Sequence, residues 1–301
     1  MKIYNQVFLA SLVFFISFFC SSYYKTTLKN EDKLWVTKDN HENWIAWDQA
    51  DSKIAFSSNY QGTSNIYYID IQQLKIEKSS KSLYVANYLN KLSPKNTVYV
   101  PITNTKDTSF FQVEWSFTGN EVACIGNYNS TNELMIVNTS TKEISGTKVF
   151  DVSTINWYNP STILYVLNSD KKKVYAYDIN TKESNLFHQL EKPIIGVSGK
   201  IYEVLLITND GIYEINKQRS EEYFPMPINC EKAYHLNRLN FLATNTKKEA
   251  VIIDLNNKVM NPILIGGEQG TVTLSNNKQF VAFTSSGLGG IVIKRIGNLY
   301  K

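Results

Sequence analysis

The 301 residues amount to 34.4 kDa, with 43% hydrophobic, 13% aromatic and 19% charged side chains. That much apolar material builds a sizeable core and excludes a largely disordered chain, and three cysteines exclude a disulfide-stapled miniprotein. A net charge of +4, with only Arg219, Arg238 and Arg295 as arginines among 31 basic residues, argues against a nucleic-acid binder.

Residues 1–25 read as a targeting segment. Lys2 supplies a positive start, and Val7 to Phe19 is an apolar run broken only by Ser11 and Ser17. Its length suits a secretory core of ~7–15 residues and falls short of the ~20 of a comfortable membrane span. Three fates stay open: cleavage before Tyr23, retention as an anchor, and lipidation at Cys20. Each places residues 26–301 outside the cytoplasm, in the periplasm or cell envelope. Cys124 and Cys230 would then meet oxidising conditions. Both read as small buried hydrophobes, because nothing in the sequence brings their Cα atoms within the ~4.4–6.8 Å of a disulfide.

A repeat organises the rest. With Trp47 as origin, Ile54-Ala55-Phe56 stand at +7 to +9, Ile66-Tyr67 at +19 and +20, and Asp70 at +23. Trp115 repeats the spacing with Val122-Ala123-Cys124, Leu134-Met135 and Asn138, and Trp157 follows 42 residues later with Leu164-Tyr165-Val166 and a slightly early Asp178. Weaker units surround Val197 and His235, and Leu274 restores the first half with Val281-Ala282-Phe283. Each unit holds short β-branched and aromatic runs between Asn, Asp, Gly, Ser and Lys clusters, which is strand chemistry with turn punctuation. Four short strands in about 40 residues make a propeller blade. Residues 33–301, less an insertion at 79–108, leave about 40 residues for each of six blades.

The expected fold is therefore an all-β, six-bladed β-propeller of four-stranded antiparallel blades. The last unit supplies strands near 270–275, 278–284 and 290–295 and lacks a fourth. Leu34-Trp35-Val36-Thr37 is expected to pair with the 290–295 strand and close the last blade, removing an exposed edge. The 79–108 insertion is expected between the outer strand of blade 1 and the inner strand of blade 2. There Tyr84, Tyr88, Tyr99, Lys91 and Lys95 are candidate partner contacts, the plainer reading being an added hairpin that covers a blade edge.

Trp115-Ser116-Phe117-Thr118-Gly119-Asn120 followed by Val122-Ala123, and Trp47 with Ile54-Ala55-Phe56, Ile66-Tyr67 and Asp70, resemble the repeat signature of TolB-type, WD40-like propellers. Phe117, Thr118 and Asp51 depart from that signature, Asp51 standing where Gly is usual. The resemblance implies a six-bladed periplasmic propeller that serves as a docking platform for proteins or peptides. Trp47, Trp115 and Trp157 are expected to pack between blades, and Asp70, Asn138, Asp178 and Asp254 to accept turn hydrogen bonds.

Catalytic constellations are sparse. His41, His188 and His235 fall in different units without metal-ligand spacing. Gly196-Val197-Ser198-Gly199 is one residue short of a nucleophile elbow and lies on a strand. No glycine cluster opens a helix as a phosphate loop requires, and no Asp-x-Asp-x-Asp calcium loop occurs. Glu31-Asp32 and Glu221-Glu222 read as solvated charge. The expectation is a non-catalytic, monomeric binding module with no metal or cofactor, docking a protein or peptide at its channel face and touching membrane only through the N-terminal segment. The alternatives are a metal- or cofactor-dependent propeller enzyme and a sensory partner of a membrane-bound regulator.

Overall fold

The computed structural model describes residues 33–35, 42–59, 62–71, 99–245, 247, 249–263, 269–285 and 290–296. These form six four-stranded antiparallel sheets. In chain order, β1 (Lys33–Trp35) precedes blade 1, which holds β2 (Glu42–Trp47), β3 (Lys53–Ser58), β4 (Asn65–Asp70) and β5 (Val100–Pro101). Blade 2 holds β6 (Ser109–Trp115), β7 (Glu121–Tyr128), β8 (Thr131–Asn138) and β9 (Ile144–Phe150). Blade 3 holds β10 (Val152–Asn159), β11 (Thr162–Leu167), β12 (Lys173–Asp178) and β13 (Glu183–Gln189). Blade 4 holds β14 (Gly196–Lys200), β15 (Glu203–Ile207), β16 (Gly211–Ile215) and β17 (Glu221–Pro225). Blade 5 holds β18 (Cys230–Asn237), β19 (Asn240–Asn245), β20 (Ala250–Asp254) and β21 (Val259–Pro262). Blade 6 holds β22 (Gln269–Leu274), β23 (Phe280–Ser285) and β24 (Ile291–Arg295), and β1 lies beside β24 with Leu34 opposite Ile293.

Lettering the strands A to D from the channel outward exposes a burial gradient. The B strands are continuous apolar runs, such as Ile54-Ala55-Phe56 and Val204-Leu205-Leu206, because both faces are covered by neighbouring blades. The D strands are polar: every residue of β21 is exposed, and β13 buries only Phe187. Six hydrophobic clusters sit in the six seams between blades, and the seam of Ile45, Trp47 and Phe56 with Ala282, Ile291 and Ile293 joins blade 6 to blade 1. Full burial of a Phe such as Phe56 or Phe283 contributes about 1.5–3 kcal/mol, so each seam is a substantial source of stability.

Trp47 and Trp115 end their A strands, Trp157 lies two residues before the end of its own, and all three pack into seams, as the repeat spacing anticipated. Asn138 Oδ1 accepts from the amides of Ser140 and Thr141, both at 2.9 Å, and Asp178 Oδ1 from Asn180 and Thr181 at 2.8 and 3.0 Å. Asp254 accepts from the Asn257 amide at 2.9 Å. In each of these C–D turns the lysine that follows, Lys142, Lys182 or Lys258, adopts a positive φ of 65°, 61° or 53°.

The A–B and C–D turns share one end of each blade, shown by amides of Ile71, Thr139, Ile179 and Leu255 donating to Ser52, Asn120, Ser161 and Leu239 carbonyls. We call this end the turn face and the opposite one, with the B–C turns and inter-blade links, the link face. Asp51 at φ 54° occupies the left-handed position held by Gly119 at φ 74° in the next blade, which explains how an aspartate replaces glycine there. Its carboxylate reaches the next blade. Oδ1 accepts from the Asn276 amide at 2.6 Å and Oδ2 from the Asn277 amide at 2.9 Å, tying blade 1 to blade 6.

The extra length of blade 1 lies elsewhere than the spacing suggested. Val100–Pro101 is itself the fourth strand, pairing with Tyr68 and Tyr67 of β4. Residues 72–98 therefore connect the third and fourth strands within blade 1, and the chain leaves and rejoins the blade at the turn face. Residues 102–108 form the link to blade 2. Asn65 fixes that link, its Oδ1 accepting from the Thr103 hydroxyl and the Thr105 amide, both at 2.9 Å.

Candidate functional site: the central channel

The A strands line the channel, and their pairing with the B strands puts one residue of each blade at an equivalent level. Ala46, Glu114, Asn156, Ser198, Tyr234 and Thr273 stand opposite Ala55, Ala123, Leu164, Leu205, Leu242 and Ala282. Five of the six are polar, unusual for strands at the centre of a fold. Their polar atoms are used within the ring: Ser198 Oγ donates to the Ala233 carbonyl of blade 5, and the Tyr234 hydroxyl donates to Val272 of blade 6 at 3.1 Å. Gln112, two residues before Glu114, donates to Thr154 Oγ1 at 2.9 Å and to the Ile155 carbonyl at 3.0 Å in blade 3.

Glu114 and Lys232 cross the channel. They belong to blades 2 and 5, opposite members of a six-membered ring, and Lys232 Nζ lies 3.1 Å from Glu114 Oε1. Their side chains are only 16% and 19% exposed. Burial disfavours the Lys232 ammonium, but Glu114 and Tyr234 outweigh it and hold the lysine protonated. Burial also pushes the Glu114 carboxyl up from its ordinary range, with the ammonium pulling against that shift. Tyr234 is raised by burial too, and its ring lies 5.5 Å from the ammonium. Paired in this way, Glu114 and Lys232 hold opposite blades together across the channel.

At the next level towards the link face, the A strands of blades 1 and 2 are bulged, with Trp44 and Gln112 both at φ 47°. The bulge turns Gln112 into the blade 3 seam but leaves Trp44 38% exposed. Bulges re-aim side chains in this way, and here the result is an accessible indole on a channel strand.

Of the residues singled out from the insertion, Tyr99 packs inward, its ring 5.5 Å from Phe56 and 6.4 Å from Tyr67. Tyr84, Tyr88, Lys91 and Lys95 lie outside the described residues, as do Cys20 and His41. The other two histidines form inter-blade pairs: His188 with Glu221 at 3.0 Å and His235 with Glu214 at 2.9 Å. Among the described residues no three of His, Cys, Asp and Glu cluster as metal ligands. Cys124 and Cys230 are free and buried, and burial raises both thiols, Cys230 to about 12. Sequence reading passed over Glu114 and Lys232. The usable signal was a charge beside apolar residues on an inner strand, Val113-Glu114-Trp115 and Lys232-Ala233-Tyr234.

No family model and no curated protein matches the sequence. Solved structures do match in fold. TolB from Acinetobacter baumannii aligns at a TM-score of 0.56 and 10% identity, covering 83% of this chain and 65% of that one. A luciferin-regenerating enzyme gives 0.58 and 9%, covering 89% and 96%. A chain of a nidogen/laminin complex gives 0.53 and 8%, covering 73% and 78%. At such identities the likeness establishes the six-bladed propeller and nothing about activity.

Proposed function

We propose that this chain is an exported, non-catalytic binding module that docks a protein or peptide partner on the link face, at the channel mouth. The observation that carries the reading is the filled channel core. Glu114 and Lys232 meet across the axis, and Gln112, Ser198 and Tyr234 spend their polar atoms on adjacent blades. A rigid ring whose interior groups are already paired offers recognition mainly at its mouth and loops. Trp44, Tyr128, Phe150 and Ile195 stand at that face, 38%, 51%, 51% and 37% exposed, and aromatic anchors of this kind dominate protein interfaces. A photo-crosslinking residue at 128, 150 or 195 is expected to capture one partner in the cell envelope. The same residue at Glu222, on an outer strand, is expected to capture none. Equal capture at Glu222, or stoichiometric metal or bound cofactor in the purified chain, would defeat the reading.

The proposal includes export directed by residues 1–25 to the periplasm or cell envelope. Fractionation with mass measurement of the mature N-terminus tests it and separates cleavage before Tyr23 from lipidation at Cys20. It also includes a latch, in which β1 supplies the outermost strand of blade 6 and holds the ring closed. Leu34→Pro removes a strand amide and is expected to cost about 1–3 kcal/mol of global stability; an unchanged melting temperature would show that the seam between blades 6 and 1 closes the ring unaided.

A further inference from the structure

Among the described residues the turn face is unevenly charged. Over blades 1 to 3 carboxylates, among them Asp51, Asp70, Glu121, Glu143 and Glu183, outnumber Lys53, Lys142 and Lys182. Over blades 4 to 6 it carries Lys217, Arg219, Arg238, Lys258 and Arg295, all exposed and including every arginine of the chain. None of these five makes an ion pair among the described residues. The described acidic groups nearby include Glu203, Asp254 and Glu221, the last two engaged with Asn257 and His188.

Exposed apolar side chains crowd the same sector. Ile201 and Tyr202 project from the A–B turn of blade 4, and Leu239 from that of blade 5. Val259 and Met260 follow the C–D turn of blade 5. Their exposures are 45%, 39%, 37%, 43% and 47%. Blades 4 and 5 are neighbours, so these side chains share one sector of the turn face. A soluble surface rarely gathers five large apolar tips among five unneutralised cations without use. Lys217 lies over the Tyr202 ring at 4.9 Å, which mixes the charged and apolar elements within one turn pair. Moreover, β1 starts at this face, since Lys33 pairs with Lys294 beside Arg295 at the end of β24.

We propose that the turn-face sector of blades 4 and 5 rests on an anionic lipid surface, its apolar tips entering the headgroup region and its basic rim contacting lipid phosphates. The ring would then lie with its link face turned away from the bilayer. The charge complementarity is the argument for lipid, joined by apolar groups at turn tips, which reach a flat surface together as a concave protein site would not require.

The test uses the full chain carrying Cys20→Ser, with a nitrobenzoxadiazole probe at Leu239→Cys, Met260→Cys or, on the link face, Tyr128→Cys. With vesicles containing phosphatidylglycerol, the probes at 239 and 260 are expected to brighten and shift to the blue, and the probe at 128 to stay unchanged. Neutral phosphatidylcholine vesicles should elicit little response. Arg219→Ser, Arg238→Ser and Lys258→Ser together should weaken the response about 100-fold, each basic residue near an anionic surface being worth about fivefold. These substitutions change exposed side chains, of which Arg219 covers the Phe187 ring at 5.1 Å, and a circular dichroism melt verifies the fold. Silent probes at 239 and 260, an equal response on neutral vesicles, or a response at 128 as well would overturn the proposal. So would a response of the two turn-face probes to a glutamate-rich peptide alone, which would make the sector a protein-docking surface.

Discussion

Lys232→Met should expose the role of the cross-channel pair. The substitution keeps the length and apolar stem of the side chain but strands the Glu114 carboxylate opposite a thioether. Removing one partner of a buried ion pair costs about 3–5 kcal/mol, and the lower end applies because roughly a sixth of the Glu114 side chain still meets solvent. About 3 kcal/mol corresponds to a melting temperature lower by about 6–12 °C for a ring of this size. The deficit must depend on pH. With the ammonium gone, burial alone acts on Glu114 and lifts its carboxyl further above the ordinary 4.5. A carboxyl raised in the folded state binds its proton more tightly than in the unfolded chain. Its contribution to stability is therefore fully present below the unfolded value and is lost as pH rises through the folded one. Relative to the parent, Lys232→Met should lose stability as pH rises across that window, by up to about 1.4 kcal/mol per pH unit. Adding Glu114→Leu should recover most of the loss, since a buried ion pair replaced by apolar residues is about neutral. Urea denaturation of the parent, both single variants and the double variant at pH 5, 6, 7 and 8 measures all of this. Additive losses, or a Lys232→Met deficit that ignores pH, would refute the coupling across the channel.

Three further outcomes follow from the seams. Trp157 Nε1 donates to the Glu114 carbonyl at 3.0 Å, whereas the indole nitrogens of Trp47 and Trp115 have no hydrogen-bond partner. Trp157→Phe should therefore cost about 1 kcal/mol more than Trp115→Phe in chemical denaturation. Asp51→Gly keeps the left-handed turn but loses the contacts to Asn276 and Asn277, and should cost about 1–2 kcal/mol; Asp51→Ala should cost about 1 kcal/mol more, because alanine resists that φ. In a Cys20→Ser chain, Cys124 and Cys230 should resist a thiol reagent at pH 8 until urea unfolds the ring, because burial keeps both protonated and covered. Native-state labelling at an appreciable rate would contradict their placement.

Much of the architecture could be read from the residues alone. The spacing from each Trp to its apolar triplet, and on to the Asn or Asp after the third strand, marks the strand positions and the blade count. It does so because each blade repeats one local problem, a B strand buried on both faces beside a polar turn. That pattern needs no knowledge of neighbours. The extra length in blade 1 shows where local reading fails. The spacing put residues 79–108 after the outer strand of blade 1, yet Val100–Pro101, inside that span, is the segment that pairs with Tyr67 and Tyr68. Choice among candidate edge strands is made by pairing across the sheet, and two residues carry too little pattern to announce it. Tyr99 likewise read as a surface contact because its burial against Phe56 depends on that same choice.

The sequence by itself determined the repeat, the strand chemistry and the turns, since these depend on interactions within about 40 residues. Only the tertiary structure decided what faces what across the ring. Glu114 meeting Lys232, Asp51 reaching Asn276, and the gathering of all three arginines on one face join positions up to 225 residues apart. Their physical basis is closure of the circle, which sets opposite blades at fixed distance and aligns the turns of every blade at one end. No periodicity along the chain encodes which charges that circle brings together.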